Sequence, residues 1–261
     1  MNPFDFGDDI HIASHTDQSF YADNGYFVAE NLFTAAECNA INTRAERHAN
    51  ADFAVAHHLH KDDPAFLALL RFPRVVSLLE SLRPQTLIGL GVQMLFKKTG
   101  TPYAAQSWSP HQDNSYVQNP NNLYITTNLF LTDADPDNGG MYLYPGSHKA
   151  GLLAYVPAIS YREAPGTQPG NTITDIPSEY NRIELHARQG DLLVMNGCLI
   201  HGSYPNKSST RSRPLLSCNY LPAGEEFLPG RNAKREAVDL HSGVATGQVH
   251  KSRNPMTWST K

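Results

Sequence analysis

Residues 123–131 read Leu-Tyr-Ile-Thr-Thr-Asn-Leu-Phe-Leu, a β-branched and aromatic run that alternates in the manner of a strand. Residues 135–140 (Asp-Pro-Asp-Asn-Gly-Gly) follow as a turn, because Asn and Gly tolerate positive φ. A further strand is predicted at 141–144, and residues 145–148 (Pro-Gly-Ser-His) form the next turn. Short strands separated by turn signals every ~8–12 residues indicate a sandwich or a barrel.

The same pattern continues on both sides of this stretch. Further strands are predicted at 86–96, 183–187, 192–195 and 215–221, and a short one at 26–29. Before residue 86 the sequence is mainly helical, with a capping box at Thr34 and Glu37 and helices near 17–25, 62–70 and 73–82. We therefore predict a mainly β fold with flanking helices. Its core is a double-stranded β-helix (jelly-roll, cupin-like) at about 86–222, its helical part lies at about 17–82, and one domain spans 1–261.

The composition excludes several classes of protein. Charged residues make up 18% of the 261 residues, and 18 Gly and 18 Pro favour a strand- and loop-rich enzyme over a helical bundle. The net charge of −4 predicts no nucleic-acid partner, and no apolar run reaches the ~18 residues that span a membrane. The N-terminus lacks a signal-peptide pattern. Cys38, Cys198 and Cys218 fit neither a disulfide framework nor a zinc ribbon, so we expect reduced thiols in a cytoplasmic protein. We expect this protein to be a monomer or a homodimer.

The candidate chemistry starts at residues 109–116, which read Ser-Pro-His-Gln-Asp-Asn-Ser-Tyr. On a strand, His111 and Asp113 would point to the same side and could reach one metal ion. A bare His-x-Asp is more often a pair of surface residues. Here a second histidine, His201, follows far downstream, directly before Gly202 and Ser203. Two imidazoles and one carboxylate leave open positions on an octahedral metal, a ligand set that suits non-haem Fe(II) oxygenases.

An arginine follows this second histidine on the edge of the next predicted strand. Arg213 lies twelve residues after His201, across the turn at 205–208, and Arg211 is its competitor. An arginine at this position can grip a carboxylate bidentately. A bound carboxylate beside an Fe(II) site is what a 2-oxoglutarate cosubstrate supplies.

Taken together and in order, these segments resemble the phytanoyl-CoA dioxygenase family, which includes ectoine hydroxylase-like enzymes. The resemblance covers most of the chain. The segments that carry it are 24–28, 94–98, 111–113, 138–140, 145–148, 190–191, 201–203 and the strand entered by Arg213.

The resemblance implies the roles of individual residues. It implies Fe(II) held by His111, Asp113 and His201, with O2 and 2-oxoglutarate as cosubstrates. It further implies that 2-oxoglutarate is bound by Arg213, Ser203, Gln112, Asn128 and Met94. Relatives that halogenate replace the carboxylate ligand with a small residue, so Asp113 implies hydroxylation of an unactivated C–H bond or a related oxidation. The spacing from His201 to Arg213 is one residue longer than in many relatives, which keeps Arg211 open.

The substrate is predicted only as a class. Trp108, Gln106, Asn114 and Tyr116 stand near the metal motif and favour a small, polar metabolite. Residues 156–180 form a loop long enough to be a functional cover. The cluster His57, His58 and His60 is interpreted as a solvated or substrate-facing segment, because no carboxylate or cysteine stands at a ligand spacing from it. The basic C-terminal tail is either a solvated surface or a clamp on an anionic substrate.

Other functions fit the same residues. The same cofactor set could catalyse desaturation, epoxidation or ring formation in natural-product biosynthesis. A jelly-roll protein could also bind a ligand without turnover. A cupin-like isomerase or zinc hydrolase has no use for an arginine behind the second histidine.

Overall fold

Two antiparallel sheets and a layer of helices make up the described part of the chain, which in this computed structural model covers residues 4, 6–7, 9–157, 170–230 and 233–241, with the backbone of 249–251. The strands are β1 (Ile10–Ile12), β2 (Tyr26–Ala29), β3 (Val55–Ala56), β4 (Leu87–Leu95), β5 (Trp108–His111), β6 (Ile125–Phe130), β7 (Met141–Leu143), β8 (Ile183–Glu184), β9 (Leu192–Asn196), β10 (His201–Ser203), β11 (Leu215–Pro222), β12 (Val238–Asp239) and β13 (Val249–Lys251). The helices are α1 (His15–Asn24), α2 (Ala35–Ala45), α3 (Leu59–Asp62), α4 (Pro64–Leu70), α5 (Pro73–Leu82) and α6 (Asn114–Val117), with 3-10 turns at Glu46–His48 and Ser147–Ala150.

The larger sheet has seven strands in the order β12-β4-β11-β6-β9-β2, and β3 also pairs with β4. The smaller sheet has four strands in the order β5-β10-β7-β8. All pairings within these two sheets are antiparallel, whereas β1 and β13 form a separate parallel pair. The two antiparallel sheets confirm the predicted mainly β, jelly-roll class.

Two apolar cores hold the layers together. One core joins the helices to one face of the larger sheet, through residues such as Ile41, Leu79 and Leu129. The other core lies between the sheets and joins Val28 and Leu193 of the larger sheet to Leu143 of the smaller one. The larger sheet is therefore buried on both faces, which explains why β6 and β11 are buried along their whole length.

The helices begin and end where local chemistry dictates. The predicted capping box opens α2, since Thr34 Oγ1 accepts from Glu37 N at 3.2 Å and Glu37 Oε2 accepts from Thr34 N at 2.7 Å. A second capping box at Ser14 starts α1 earlier than predicted, and Gly25 ends it at φ 77°. Asp63 caps α4 ahead of Pro64, so the helix predicted at 62–70 is preceded by a separate turn of helix, α3.

The boundary predicted between a helical part and a sheet core is not a clean one. β2 lies inside the helical segment of the sequence, yet it pairs along its whole length with β9 at the edge of the larger sheet. β12, beyond residue 222, pairs with β4. The assignment of the whole chain to one domain stays a prediction. No helix in the described residues is long and apolar enough to cross a bilayer. All three cysteines are buried and unpaired.

Candidate metal centre and its two cavities

The smaller sheet brings the two histidines together. His111 ends β5, His201 begins β10, and the two residues are direct partners in the antiparallel ladder. Each Nε2 lies 3.7 Å from Asp113 Oδ1. One potential ligand atom from each of the three residues lies within 4.8 Å of the others. The structure thus brings His111 and Asp113 together with His201, which lies ninety positions after His111 in the sequence.

Both imidazoles are oriented by their own backbone. His111 Nδ1 lies 2.7 Å from Ser109 O and His201 Nδ1 lies 3.0 Å from Leu199 O. A carbonyl can only accept, so each Nδ1 donates its proton and each Nε2 keeps a free lone pair. Burial, and then the neighbouring His201, lower the pKa of His111 to about 4, against the opposing effect of Asp113. This imidazole is therefore neutral at neutral pH, the form that binds metals.

Asp113 does not lie on the same strand as His111. Strand β5 ends at His111, and Asp113 has helical backbone angles (φ −63°, ψ −29°) at the start of α6. The carboxylate nevertheless faces both imidazoles, because α6 is held in place by Asn114 N donating to Gly197 O at 2.8 Å. The geometry resembles that expected from strand alternation, but a helical turn produces it.

A small inner cavity of about 60 Å³ lies beside the three residues, and they line part of it. The strands β6 and β11 contribute polar side chains from their inward faces, with Asn128 and Ser217 as direct ladder partners. Four of the lining side chains have a buried nitrogen or oxygen without a hydrogen-bond partner among the described residues. These atoms are Thr126 Oγ1, Asn128 Nδ2, Arg213 Nη1 and Ser217 Oγ. Buried polar groups are nearly always paired, so four in one cavity indicate a polar ligand.

The two candidate arginines have different surroundings. Arg213 is 1% exposed, lines the inner cavity and donates from Nε to Gly139 O at 2.9 Å. Burial lowers its pKa to about 10, so it is cationic at neutral pH. Arg211 is exposed and makes a bidentate ion pair with Asp135 at 2.6 and 3.1 Å. The structure therefore places Arg213, and not Arg211, in the wall of the inner cavity beside the three convergent residues.

Lys97 is a second buried basic residue that the sequence analysis did not single out. Its side chain is fully buried, and Nζ donates to Ser203 Oγ at 2.9 Å and to Tyr204 O. Burial, and then Arg213 nearby, lower the pKa of Lys97 well below its usual value. No carboxylate forms an ion pair with either basic residue in the described part of the chain. In the sequence, residues 94–98 stood out only as a segment of the family resemblance, and a Lys-Lys pair by itself carries no signal of burial.

Two of the predicted cosubstrate contacts do not fit their positions. Met94 packs in the core between helices and sheet, because strand alternation turns its neighbours Gln93 and Leu95 into the inner cavity instead. The side-chain amide of Gln112 is bonded entirely to backbone atoms: it donates to Gly151 O and Cys198 O and accepts from Leu153 N. The other three predicted contacts, Arg213, Asn128 and Ser203, line the inner cavity.

Two of the predicted substrate contacts, Asn114 and Gln106, are not among the residues that line the two cavities. Asn114 is fully buried, and its amide bonds to Asn119 O and Asn122 Oδ1, so it braces the loop after α6. Gln106 lines neither the inner cavity nor the outer one described next. By contrast, Trp108 and Tyr116 face the outer cavity.

The outer cavity has a volume of about 390 Å³ and shares Gln93, Trp108 and Asp113 with the inner one. That volume falls within the range of ~300–1,000 Å³ typical of small-molecule sites. His57 lines it too, which fits the interpretation of its segment as substrate-facing, whereas His60 is buried and accepts from Val92 N. Arg235, from beyond the sheet core, closes one side.

The loop predicted at 156–180 is only partly within the described residues, since 158–169 lie outside them. Its two described ends are joined by an antiparallel bridge between Val156 and Thr172. Asn171 N then donates to the Tyr116 hydroxyl at 2.7 Å, and Gly170 lines the outer cavity. The base of the loop is therefore part of the wall of the outer cavity.

The comparisons with known proteins agree with this geometry. The sequence model of the family described as phytanoyl-CoA dioxygenase (PhyH) matches residues 21–215. Phytanoyl-CoA dioxygenase domain-containing protein 1 of Rattus norvegicus is 26% identical over 226 residues, 85% of this chain and 72% of that protein. Phytanoyl-CoA dioxygenase 1 of Oryza sativa subsp. japonica is 33% identical over 171 residues, 64% of this chain and 56% of that protein.

Among solved structures, the chain is similar to the epimerase SnoN in complex with Fe3+, alpha ketoglutarate and nogalamycin RO. The TM-score is 0.68 at 20% identity, over 87% of this chain and 95% of that one. At this identity the likeness establishes a shared fold.

Proposed function

The chain belongs to the phytanoyl-CoA dioxygenase family, and we propose that it is an Fe(II)- and 2-oxoglutarate-dependent oxygenase that hydroxylates an unactivated C–H bond of a small, polar metabolite. One observation carries the proposal. The His111, Asp113 and His201 ligand atoms converge beside a cavity whose buried polar atoms, including a guanidinium nitrogen, lack partners among the described residues.

In this proposal the three convergent side chains hold the iron. Two imidazole nitrogens and one carboxylate oxygen leave positions open for other ligands, the arrangement of non-haem Fe(II) oxygenases. The hydrogen bonds from Nδ1 of each histidine to Ser109 O and Leu199 O fix the orientation of both imidazole rings. Bound Fe(II) with 2-oxoglutarate and O2 supplies the oxidising power that no side chain can supply.

The side chains that line the inner cavity suit the cosubstrate. A dicarboxylate with one carboxylate toward the metal needs a cation for the other, and Arg213 is the cation that lines this cavity. Asn128 Nδ2 and the hydroxyls of Thr126 and Ser217 are further groups in its wall that have no hydrogen-bond partner among the described residues. Lys97 Nζ donates a hydrogen bond to the hydroxyl of Ser203, which lines this cavity. The residues present therefore fit 2-oxoglutarate.

The outer cavity would hold the substrate, because Asp113 lines it as well as the inner cavity. Its wall combines the rings of Trp108, Tyr116 and Tyr124 with the polar groups of Asn171 and Asn219. Desaturation, epoxidation or ring formation would use the same residues. Product mass separates some of these outcomes, since hydroxylation adds an oxygen and desaturation removes two hydrogens.

The test of the proposal combines binding and turnover. Purified protein should bind one Fe(II) per chain and lose all 2-oxoglutarate-dependent succinate release in EDTA. His111→Ala and His201→Ala should reduce release by orders of magnitude, because each removes a metal ligand. His186→Ala, at an exposed histidine outside both cavities, is the matched control. Normal release by either ligand variant would disprove that assignment.

A non-catalytic ligand-binding protein is the alternative that this test addresses. Such a protein would bind metal or 2-oxoglutarate without releasing succinate, whatever compound is supplied. We also propose a cytoplasmic location, since three unpaired cysteines are usual in a reducing compartment.

A further inference from the structure

We infer that Arg235 is an anion anchor in the outer cavity, and that the substrate is a compact molecule carrying a carboxylate or phosphate group. This inference rests on the proposed function, because it takes the outer cavity as the substrate site. It adds the chemical class of the substrate and the residue that selects it.

The first step concerns charge. Among the described residues that line the outer cavity, Arg235 carries the one permanent positive charge and Asp113 the one carboxylate. In the proposed enzyme the carboxylate is committed to the metal. A substrate in this cavity therefore meets a positive charge that the cavity itself does not neutralise, and an anionic group supplies the missing partner.

The second step concerns how Arg235 is held. Its Nη1 donates weakly, at 3.4 Å, to two backbone carbonyls, Tyr116 O and Pro229 O. Its Nε is buried and has no hydrogen-bond partner among the described residues. In that part of the chain no carboxylate forms an ion pair with it, although the adjacent Glu236 pairs with Lys61 at 2.9 Å. The guanidinium is thus positioned by neutral groups while its charge and one donor remain available.

The third step concerns direction. Burial raises the pKa of Tyr124 to about 12, and after burial Arg235 lowers it while Asp113 raises it. Burial raises the pKa of Tyr116 too, and here again Arg235 lowers the pKa while Asp113 raises it. Both tyrosines line the outer cavity together with Arg235 and Asp113, so one molecule in this cavity can reach from the cation toward the metal ligand. An anion at Arg235 would leave the other end of the molecule pointing toward Asp113.

The fourth step concerns size and body. The volume of about 390 Å³ and the rings of Trp108, Tyr116 and Tyr124 suit a compact molecule with an apolar or unsaturated body. An acyl-CoA carries several phosphates and would need several cations, whereas the described lining offers one. Arg235 therefore favours a free acid or a phosphate monoester over a CoA thioester.

The experiment measures anion preference directly. Protein loaded with redox-inert Zn(II) and saturated with 2-oxoglutarate is titrated with matched pairs, beginning with benzoate against benzamide and phenyl phosphate against phenol, by ligand-observed NMR. Saturation with 2-oxoglutarate prevents the probes from binding in the inner cavity. Each anion should bind the wild type about 10-fold to 100-fold more tightly than its neutral partner, the range for a hydrogen bond to a charged group.

Substitution then assigns the preference to one residue. Arg235→Gln should remove it by weakening the anions alone, Arg235→Lys should keep part of it, and Arg211→Gln, at the surface pair with Asp135, should keep all of it. Unchanged 2-oxoglutarate affinity in Arg235→Gln shows that the variant is folded. The inference is overturned if the neutral members bind the wild type as well as the anions, if neither binds, or if the preference survives Arg235→Gln. Failure of the wild type to bind Zn(II) and 2-oxoglutarate would instead overturn the proposed function.

Discussion

Replacing Arg213 by methionine should change cosubstrate affinity and apoprotein stability in opposite directions. Arg213 is 1% exposed and its described surroundings offer Nε one carbonyl and Nη1 no partner. Arg213→Met leaves the distal carboxylate of 2-oxoglutarate buried and unpaired, a loss of ~2–5 kcal/mol. At 1.4 kcal/mol for each factor of ten, the dissociation constant should rise roughly 30-fold to 3,000-fold.

The same substitution removes a buried cation that has no carboxylate partner in the described structure. It gives up one hydrogen bond from a charged donor to Gly139 O, of ~1.5–3 kcal/mol, against the desolvation of a cation, which is several kcal/mol. The apoprotein should therefore be at least as stable as the wild type. Calorimetric titration of metal-loaded protein and thermal unfolding of apoprotein measure the two effects. The reasoning is refuted if Arg211→Met weakens 2-oxoglutarate more than Arg213→Met does, or if Arg213→Met clearly destabilises the apoprotein.

Two further substitutions have defined outcomes. Lys97→Met should weaken 2-oxoglutarate binding about tenfold, as Ser203 loses the hydrogen bond from Lys97 Nζ, and should leave Fe(II) stoichiometry unchanged in a metal assay. Hydrogen bonds from Arg44 lower the pKa of Asp63 in the folded protein. The ionised carboxylate therefore stabilises the fold fully above the unfolded pKa of ~3.9, and this stabilisation is lost as the pH falls below that value. Asp63→Asn should cost ~1–3 kcal/mol at pH 7 in urea unfolding, and a deficit that persists undiminished at pH 2 would contradict this.

Local patterns in the sequence were sufficient for the elements and for the identity of the convergent side chains. The capping box at Thr34 and the strand over 123–131 depend on neighbours in the chain, and both are present. The order of His111, Asp113 and His201 identified the cluster before the ladder that joins β5 to β10 was known.

What the sequence could not show depends on contacts between distant residues. Met94 and Gln93 differ by one position, and only the pairing of β4 determines which of them faces the cavity. The burial of Lys97 follows from Ser203 and Tyr204, more than a hundred residues away. Arg235 could be named as part of a basic tail, but its position beside Tyr116 depends on the return of the chain to the cavity.

The backbone anchoring of the two imidazoles bears on how the protein can change. Ser109 O and Leu199 O orient the rings, and a carbonyl is the same in every amino acid. Drift in the surrounding side chains cannot remove these two acceptors, although the rings of Trp108 and Tyr116 do pack beside His111. Arg235 lines the outer cavity and is not part of these ring contacts. An engineer could therefore exchange Arg235 to redirect the enzyme toward new substrates while the ligand geometry is inherited unchanged.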